Sequence, residues 1–236
     1  MYHPLHITTQ EGVVFLHRQL YQWTASVLLL CSSVAGAAQP FLEIRAGTNS
    51  NVVHLSEAVN IELASRVNVL GTMSVAPGFW WSRRWGTEVA VQYAAKGYDD
   101  LTYKGVLQNT GSYRSAGFRF HHIECMPRLL WRWKEGVTLA AGGYGGHLFK
   151  RQYRDPGVAE WQPLDASFDG FFRNFEAGLA TGLHISQQYG LFFFQYQYGL
   201  YPFAVFQVTQ DGTEKTVRMQ NRTFTVGLGL HLARRN

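Results

Sequence analysis

Cysteine, charge clusters and long apolar runs are all scarce in this chain of 236 residues. The only cysteines are Cys31 and Cys125, and Cys31 falls in a segment expected to be removed, so a single thiol remains and a disulfide scaffold is excluded. Charged residues make up 16%, against roughly 25% in an ordinary soluble domain. The net charge is +5, yet no basic run is longer than two residues. Nucleic-acid binding needs a clustered basic footprint, so attraction to anionic lipid head groups explains the charge better. A helical bundle in a membrane is disfavoured as well, because the mean hydropathy is only -0.14 and a barrel turns only alternate side chains to lipid.

Against these absences stands an aromatic fraction of 15% and a strict period of two. From Arg222 to Arg235, Phe224, Val226, Leu228, Leu230 and Leu232 alternate with Thr223, Thr225, Gly227, Gly229 and His231. Alternation alone specifies a half-buried strand, but here it recurs. Eight strands are predicted: 41–48, 71–81, 85–97, 117–133, 137–151, 172–186, 191–204 and 222–232. Three connections are tight, at 82–84, 134–136 and 187–190. The other four are long, at 49–70, 98–116, 152–171 and 205–221. Short turns at one end and long loops at the other are the pattern of an outer-membrane barrel, in which both ends of an even-stranded sheet lie on the periplasmic side. The expected fold class is therefore all-β, an eight-stranded antiparallel transmembrane β-barrel preceded by an N-terminal signal peptide.

Arg18, the apolar stretch from Ala25 through Val34, and Ala35-Gly36-Ala37 have the order of a secretory signal. The stretch is too short for a helical span, which takes about twenty apolar residues. The expected division is 1–37 as signal peptide, cleaved near Ala37-Ala38, and 38–236 as the barrel domain. The stretch 1–13 does not suit the signal, since its opening carries Glu11 and neither lysine nor arginine, and translation is expected to start near Val14 or Leu16. Lipidation of Cys31 is disfavoured by Leu30, where the lipoprotein peptidase requires a small residue.

The two faces of the strands separate by chemistry. Glu88, Gln92 and Lys96 oppose Val89, Val91 and Tyr93; Glu176, Gly178, Gly182, His184 and Ser186 oppose Phe175, Leu179, Leu183 and Ile185. Gln195 and Gln197 oppose Phe192, Phe194, Tyr196 and Tyr198. Only the fifth strand is blurred, by Gly142, Gly143, Gly145 and Gly146. A soluble lipocalin-type barrel binding a small ligand in the periplasm would reverse these faces. Eight strands enclose a lumen just wide enough for side chains to fill, and charges there persist only when paired. Glu43, Arg45, Glu88, Lys96, Glu124, Arg128, Arg132 and Glu176 are thus expected to form a mutually neutralising network rather than an ion path. Trp80, Trp81, Trp85, Trp131 and Trp133 beside two same-side turns are expected to form an aromatic girdle at the interface. His184 and His231 fall toward one end and His121, His122 and His147 toward the other, so no convergent metal site and no cofactor is expected. The His184-Ile185-Ser186 triplet, with Glu176 on the same strand, resembles a hydrolase pairing. Same-face neighbours on a strand lie roughly 6.5–7 Å apart, however, beyond the reach a nucleophile and base need.

Six segments carry a resemblance: 41–49 (FLEIRAGTN), 88–97 (EVAVQYAAKG), His122-Ile123-Glu124 with 127–130 (PRLL), 141–146 (AGGYGG), 196–200 (YQYGL) and 221–230 (NRTFTVGLGL). In this order they resemble the PorT-like outer-membrane β-barrel proteins of Bacteroidetes-type bacteria. One extra residue between Glu124 and Pro127, and an Arg234-Arg235-Asn236 end in place of an aromatic, depart from that pattern. Thr225, Gly227, Leu230 and Leu232 still fit the assembly signal read by the barrel-insertion machinery. The resemblance implies a bacterial outer-membrane protein without enzymatic activity, a structural or interaction platform or an accessory to protein secretion. Expected partners are outer-membrane lipid and lipopolysaccharide, the barrel-assembly machinery, and secretion-system or surface proteins. The competing class is a lipid A-modifying outer-membrane enzyme.

Overall fold

The computed structural model describes residues 38–55, 62–67, 69–104, 115–155, 158–164, 172–210 and 213–234. The expected signal peptide lies outside the described residues. The chain divides into Met1–Ala38 and Gln39–Asn236, and the second unit is the barrel. Its strands are β1 (Gln39–Leu55), β2 (Glu62–Val67), β3 (Val69–Trp80), β4 (Trp85–Lys104), β5 (Ser115–Lys134), β6 (Val137–Arg154), β7 (Gln162–Pro163), β8 (Phe175–Ser186), β9 (Gly190–Gly199), β10 (Ala204–Gln210) and β11 (Thr213–Arg234).

Eight of these strands form the ring, in the order β1-β3-β4-β5-β6-β8-β9-β11, all antiparallel. Pairing of β1 with β11, from Phe41 opposite Arg234 to Leu55 opposite Met219, closes it. Closure removes the exposed strand edges that hydrocarbon cannot solvate. The eight predicted strands are these eight staves. The remaining three are additions beyond the ring: β2 pairs with β4, β7 with β6, and β10 with β11. Parts of the predicted long loops at 49–55, 62–67, 98–104 and 213–221 are therefore strand. Backbone pairing continues beyond the alternating apolar stretches, which alone had marked the strands in the sequence.

Two other boundaries differ. The stave predicted from Phe172 begins at Phe175, and Phe172 makes only an isolated bridge with Ala204. The stave predicted to run to Ala204 stops at Gly199. The N–H groups of Leu200 and Tyr201 both turn to the Ala177 carbonyl at 2.9 Å, and Pro202 has no N–H to continue the ladder.

The tight turns follow from local chemistry. Gly136 has a φ of +74°, which glycine adopts at no steric cost, and it closes the two-residue connection between β5 and β6. At the preceding turn the Ser82 hydroxyl accepts from the backbone N–H of Arg84 at 3.2 Å and of Trp85 at 2.9 Å, holding the chain in a side-chain-stabilised bend.

Outward positions are large and apolar, with Val75, Val91, Ile123, Leu179, Phe224 and Leu228 all exposed. Trp81, Trp85 and Trp133 are exposed near the tight-turn end, and Trp85 stacks on Trp131 with centroids 6.2 Å apart. Trp80 departs from the expected girdle. It shares the inward face of Ser74 and Ala76 and packs 6.1 Å from the ring of Phe41, beside Leu130 and Ala140. Its position next to a turn is right, but the period of two sends it into the lumen. In the assembly signal, Thr225 is buried inside while Leu230 and Leu232 are exposed outside.

An arginine at Val91, central on the outward face of β4 between the paired positions Val75 and Cys125, should lower barrel stability by about 2–4 kcal/mol. Urea titration in phospholipid vesicles checks this; an unchanged midpoint would mean that this face does not meet hydrocarbon.

Candidate functional site

The inward faces bring together a set of buried charges. Glu43, Arg45, Glu88, Lys96, Glu124, Arg128 and Glu176 are each at most 7% exposed. They come from β1, β4, β5 and β8: Glu43 and Arg45 are neighbours on β1 and Glu88 lies opposite Arg128 in the β4–β5 pair, while the fold of the ring brings Arg45 to Glu88 and Lys96 to Glu176. They resolve into two clusters stacked along the lumen.

The cluster nearer the tight turns is centred on Arg45. Its Nε donates to Glu43 Oε2 at 2.9 Å, and its two terminal nitrogens donate to Glu88, at 3.1 Å to Oε1 and 2.6 Å to Oε2. Arg128 pairs with the same Glu88 and donates through Nη1 to Gln195 Oε1 at 2.8 Å. Two carboxylates thus face two guanidiniums, whose planar forks suit bidentate pairing.

The second cluster is centred on Lys96, which is fully buried. Lys96 Nζ lies 2.6 Å from Glu124 Oε1 and also pairs with Glu176. Glu124 Oε2 accepts from Gln197 at 2.7 Å and Gln92 at 3.3 Å. Glu176 Oε2 accepts from Asn221 Nδ2 at 2.5 Å, and Tyr98 donates to the Asn221 carbonyl. His122 Nε2 stands 3.9 Å from Glu176. Lys96 also lies over the Tyr144 ring, 5.1 Å from its centroid. Gly178 makes room for that ring, since a Cβ there would stand 2.7 Å from Tyr144 Cε1.

Met126 joins the two clusters. Gln195, bonded to Arg128, and Gln197, bonded to Glu124, both point amide groups at its sulfur, at 3.5 and 3.4 Å. Several of these contacts brace strands that are not neighbours in the sheet: β4 to β8 through Lys96 and Glu176, β5 to β9 through Arg128 and Gln195, and β8 to β11 through Glu176 and Asn221.

The ends of the lumen differ. Toward the long loops, Tyr98, Phe120, Leu148, Phe203 and Met219 pack together as a buried apolar cluster with Phe172 against it. Tyr98 stacks on Phe203 with centroids 6.1 Å apart. Toward the tight turns there is a cavity of about 240 Å³ lined by Phe41, Glu43, Trp80, Arg132, His184, Ser186 and His231 among others. Arg132, expected within the network, stands at this mouth with its guanidinium 4.2 Å from the centre of the Trp80 ring. His184 and Ser186 face the same cavity, while Glu176 belongs to the other cluster, so the triplet and its carboxylate are not assembled at one place.

Sequence alternation identified these seven buried charges as inward, but only some of their polar partners. Gln92, Gln195 and Gln197 were legible as inward. Tyr98, Asn221 and Asn51 were not, since they lie in segments expected to be loops. Thr223 donates to Asn51 at 2.7 Å in the same region. Tyr144 was hidden by its flanking glycines.

Arg45→Met should cost about 3–5 kcal/mol, the range for removing one partner of a buried pair, because Glu43 and Glu88 both lose their shared cation. The change is read as a lower temperature for the shift between folded and unfolded bands on a detergent gel. An unaltered transition would show that Arg45 is not pairing inside the lumen.

No curated protein sequence matches the chain. Solved structures to which the chain is similar include OprG of Pseudomonas aeruginosa, at 13% identity over 84% of this chain and 98% of that one, with a TM-score of 0.45. They also include Ail of Yersinia pestis, solved with a heparin analogue, at 11% identity over 83% and 99% with a TM-score of 0.41. Neisserial surface protein A is similar at 11% identity over 82% and 97%, with a TM-score of 0.41. The family model for the outer membrane protein beta-barrel domain matches residues 37–205, and the chain belongs to that family as an integral protein of the outer membrane.

Proposed function

We propose that this protein is a non-enzymatic, non-conducting outer-membrane barrel that serves as a platform for other proteins. The observation that carries this reading is the filled lumen. Seven buried charges, with the glutamines and Met126 between them, occupy its middle. The aromatic cluster around Tyr98 and Phe203 packs above them. A hydrated ion would have to break several charge-assisted hydrogen bonds to pass, and each is costly to break without replacement.

What such a barrel offers its surroundings is its surface and its loop end. Trp161 there meets the guanidiniums of Arg119, 3.9 Å from its ring centre, and Arg154, at 4.7 Å. Surface loops held on a rigid scaffold are where binding residues concentrate. The PorT-like resemblance points to protein secretion as the process served, and the outward apolar face implies contact with lipid and lipopolysaccharide.

Purified protein in planar bilayers should show no stable open-channel current, and a deletion strain should have an altered secretome with unchanged lipid A. Steady single-channel conductance would refute the non-conducting reading. Loss of a lipid A modification, read by mass spectrometry, would make the protein an enzyme instead.

A further inference from the structure

The outer wall of the barrel carries an apolar shelf with cations directly beyond it, at the end where the long loops begin. Tyr93 on β4, His121 on β5 and Phe149 on β6 pack ring against ring, with centroids 6.0, 6.2 and 6.3 Å apart. The Tyr93 hydroxyl donates to His121 Nδ1 at 2.7 Å, and His121 Nε2 donates to Gln152 Oε1 at 2.8 Å. Three neighbouring strands are thus tied together on their lipid side. Val91 and Ile123, both about half exposed, continue the shelf toward the tight turns. On β5 the span from Trp131 to His121, and on β6 that from Leu139 to Phe149, match the roughly 9–11 residues a tilted strand takes to cross hydrocarbon. With Trp131 at the periplasmic interface, the three rings stand at the outer one, where aromatic side chains gather.

A bulge decides what stands next to this shelf. Lys150 pairs with His121 and Leu148 with His122, which leaves Phe149 as the extra residue of β6. A bulge re-aims side chains out of strict alternation, and Phe149 and Lys150 are consecutive yet both exposed. Strict alternation would have turned Lys150 toward the lumen. Among the described residues no carboxylate pairs with Lys150. Arg119 is its diagonal neighbour, opposite Gln152, and such positions lie about 7–8 Å apart, within reach of long side chains. Trp161 lies on the guanidiniums of Arg119 and Arg154 and steadies both. Of the acids nearby in sequence, Asp155 accepts from the Tyr153 hydroxyl and Glu160 is exposed, so the three cations outnumber them.

We propose that this wall binds a phosphate-bearing lipid of the outer leaflet, its acyl chains against Ile123 and Phe149 and its phosphate between Lys150 and Arg119. A soluble anion needs no apolar shelf, and hydrocarbon alone needs no cations. Here the two meet at the boundary of the membrane, and one amphiphile satisfies both. Ammonium and guanidinium groups form charge-assisted hydrogen bonds to phosphate. The assignment rests on the lipid contact proposed above and not on the secretion role. Its test reads lipid binding alone, so its failure is separate from any failure of the conductance and secretome tests.

The probe is bisphosphorylated lipid A, titrated into the protein purified from outer membranes and freed of lipid in detergent, with bound lipid counted by native mass spectrometry. One lipid A should be retained per barrel. Lys150→Gln should weaken retention about fivefold, the worth of one cation near an anionic lipid surface, and adding Arg119→Gln should weaken it further. Phe149→Ala should weaken it with no change of charge. Lys134→Gln, exposed near the tight turns, should leave it unchanged. Lipid A stripped of both phosphates should bind the wild-type protein as weakly as the double variant binds the intact lipid. Folding of each variant is checked by its heat-modifiable gel shift, and should Lys150→Gln fail to fold, the two forms of lipid A on wild-type protein decide. Equal binding of both forms, or retention that survives Lys150→Gln and Phe149→Ala in folded protein, would overturn the assignment. Displacement of lipid A by inorganic phosphate at equal concentration would overturn it in favour of a free-anion site.

Discussion

A charge carried into a lumen that side chains fill must find its partner there, because water cannot follow it in quantity. That constraint governs this barrel. Each buried carboxylate has a cation at hydrogen-bond or ion-pair distance: Glu43 and Glu88 share Arg45, Arg128 adds to Glu88, and Glu124 and Glu176 share Lys96. Satisfying the remaining lone pairs needs neutral donors, which Gln92, Gln197 and Asn221 supply. Some pairs form within one stave or between adjacent ones, but Lys96 with Glu176 and Arg128 with Gln195 join staves that are not neighbours, and these meet only once the sheet curls into the ring. The polar interior thus rewards closure, while the apolar exterior selects hydrocarbon as the surrounding medium.

The same constraint gives the molecule its polarity along the membrane normal. Above the charges, rings from β4 and β5 with Phe172 and Phe203 pack into an apolar cluster. Below them the staves leave a cavity whose walls mix Phe41 and Trp80 with Glu43, His184 and His231. Among the described residues the lumen is therefore packed shut toward the long loops and leaves a cavity toward the tight turns.

Much of this was written in alternation. The period of two sorted Glu88, Lys96, Glu176 and Gln195 inward and Val91, Leu179 and Phe194 outward without any knowledge of which staves lie opposite. It could not show that Lys96 reaches Glu176, 80 residues later, since alternation encodes a face and not a partner across the lumen. Trp80 illustrates the converse error. Its neighbourhood with Trp81 and Trp85 suggested a girdle, but strict parity from Ser74 sends it inside. In β6, glycines on both faces erased the contrast around Tyr144. In segments such as 98–104 and 213–221 the sequence shows no sustained apolar alternation, so nothing in their composition separated them from loops.

The central claim is that ion pairs across the lumen brace the closed barrel, and a double-mutant cycle on Lys96 and Glu176 tests it most directly. Equilibrium unfolding of Lys96→Met, Glu176→Gln and the double variant, in the same lipid, isolates their interaction from the cost of each substitution. The account predicts a coupling of about 1–3 kcal/mol, with the double variant more stable than the sum of the single losses implies. Strict additivity of the two substitutions would contradict it.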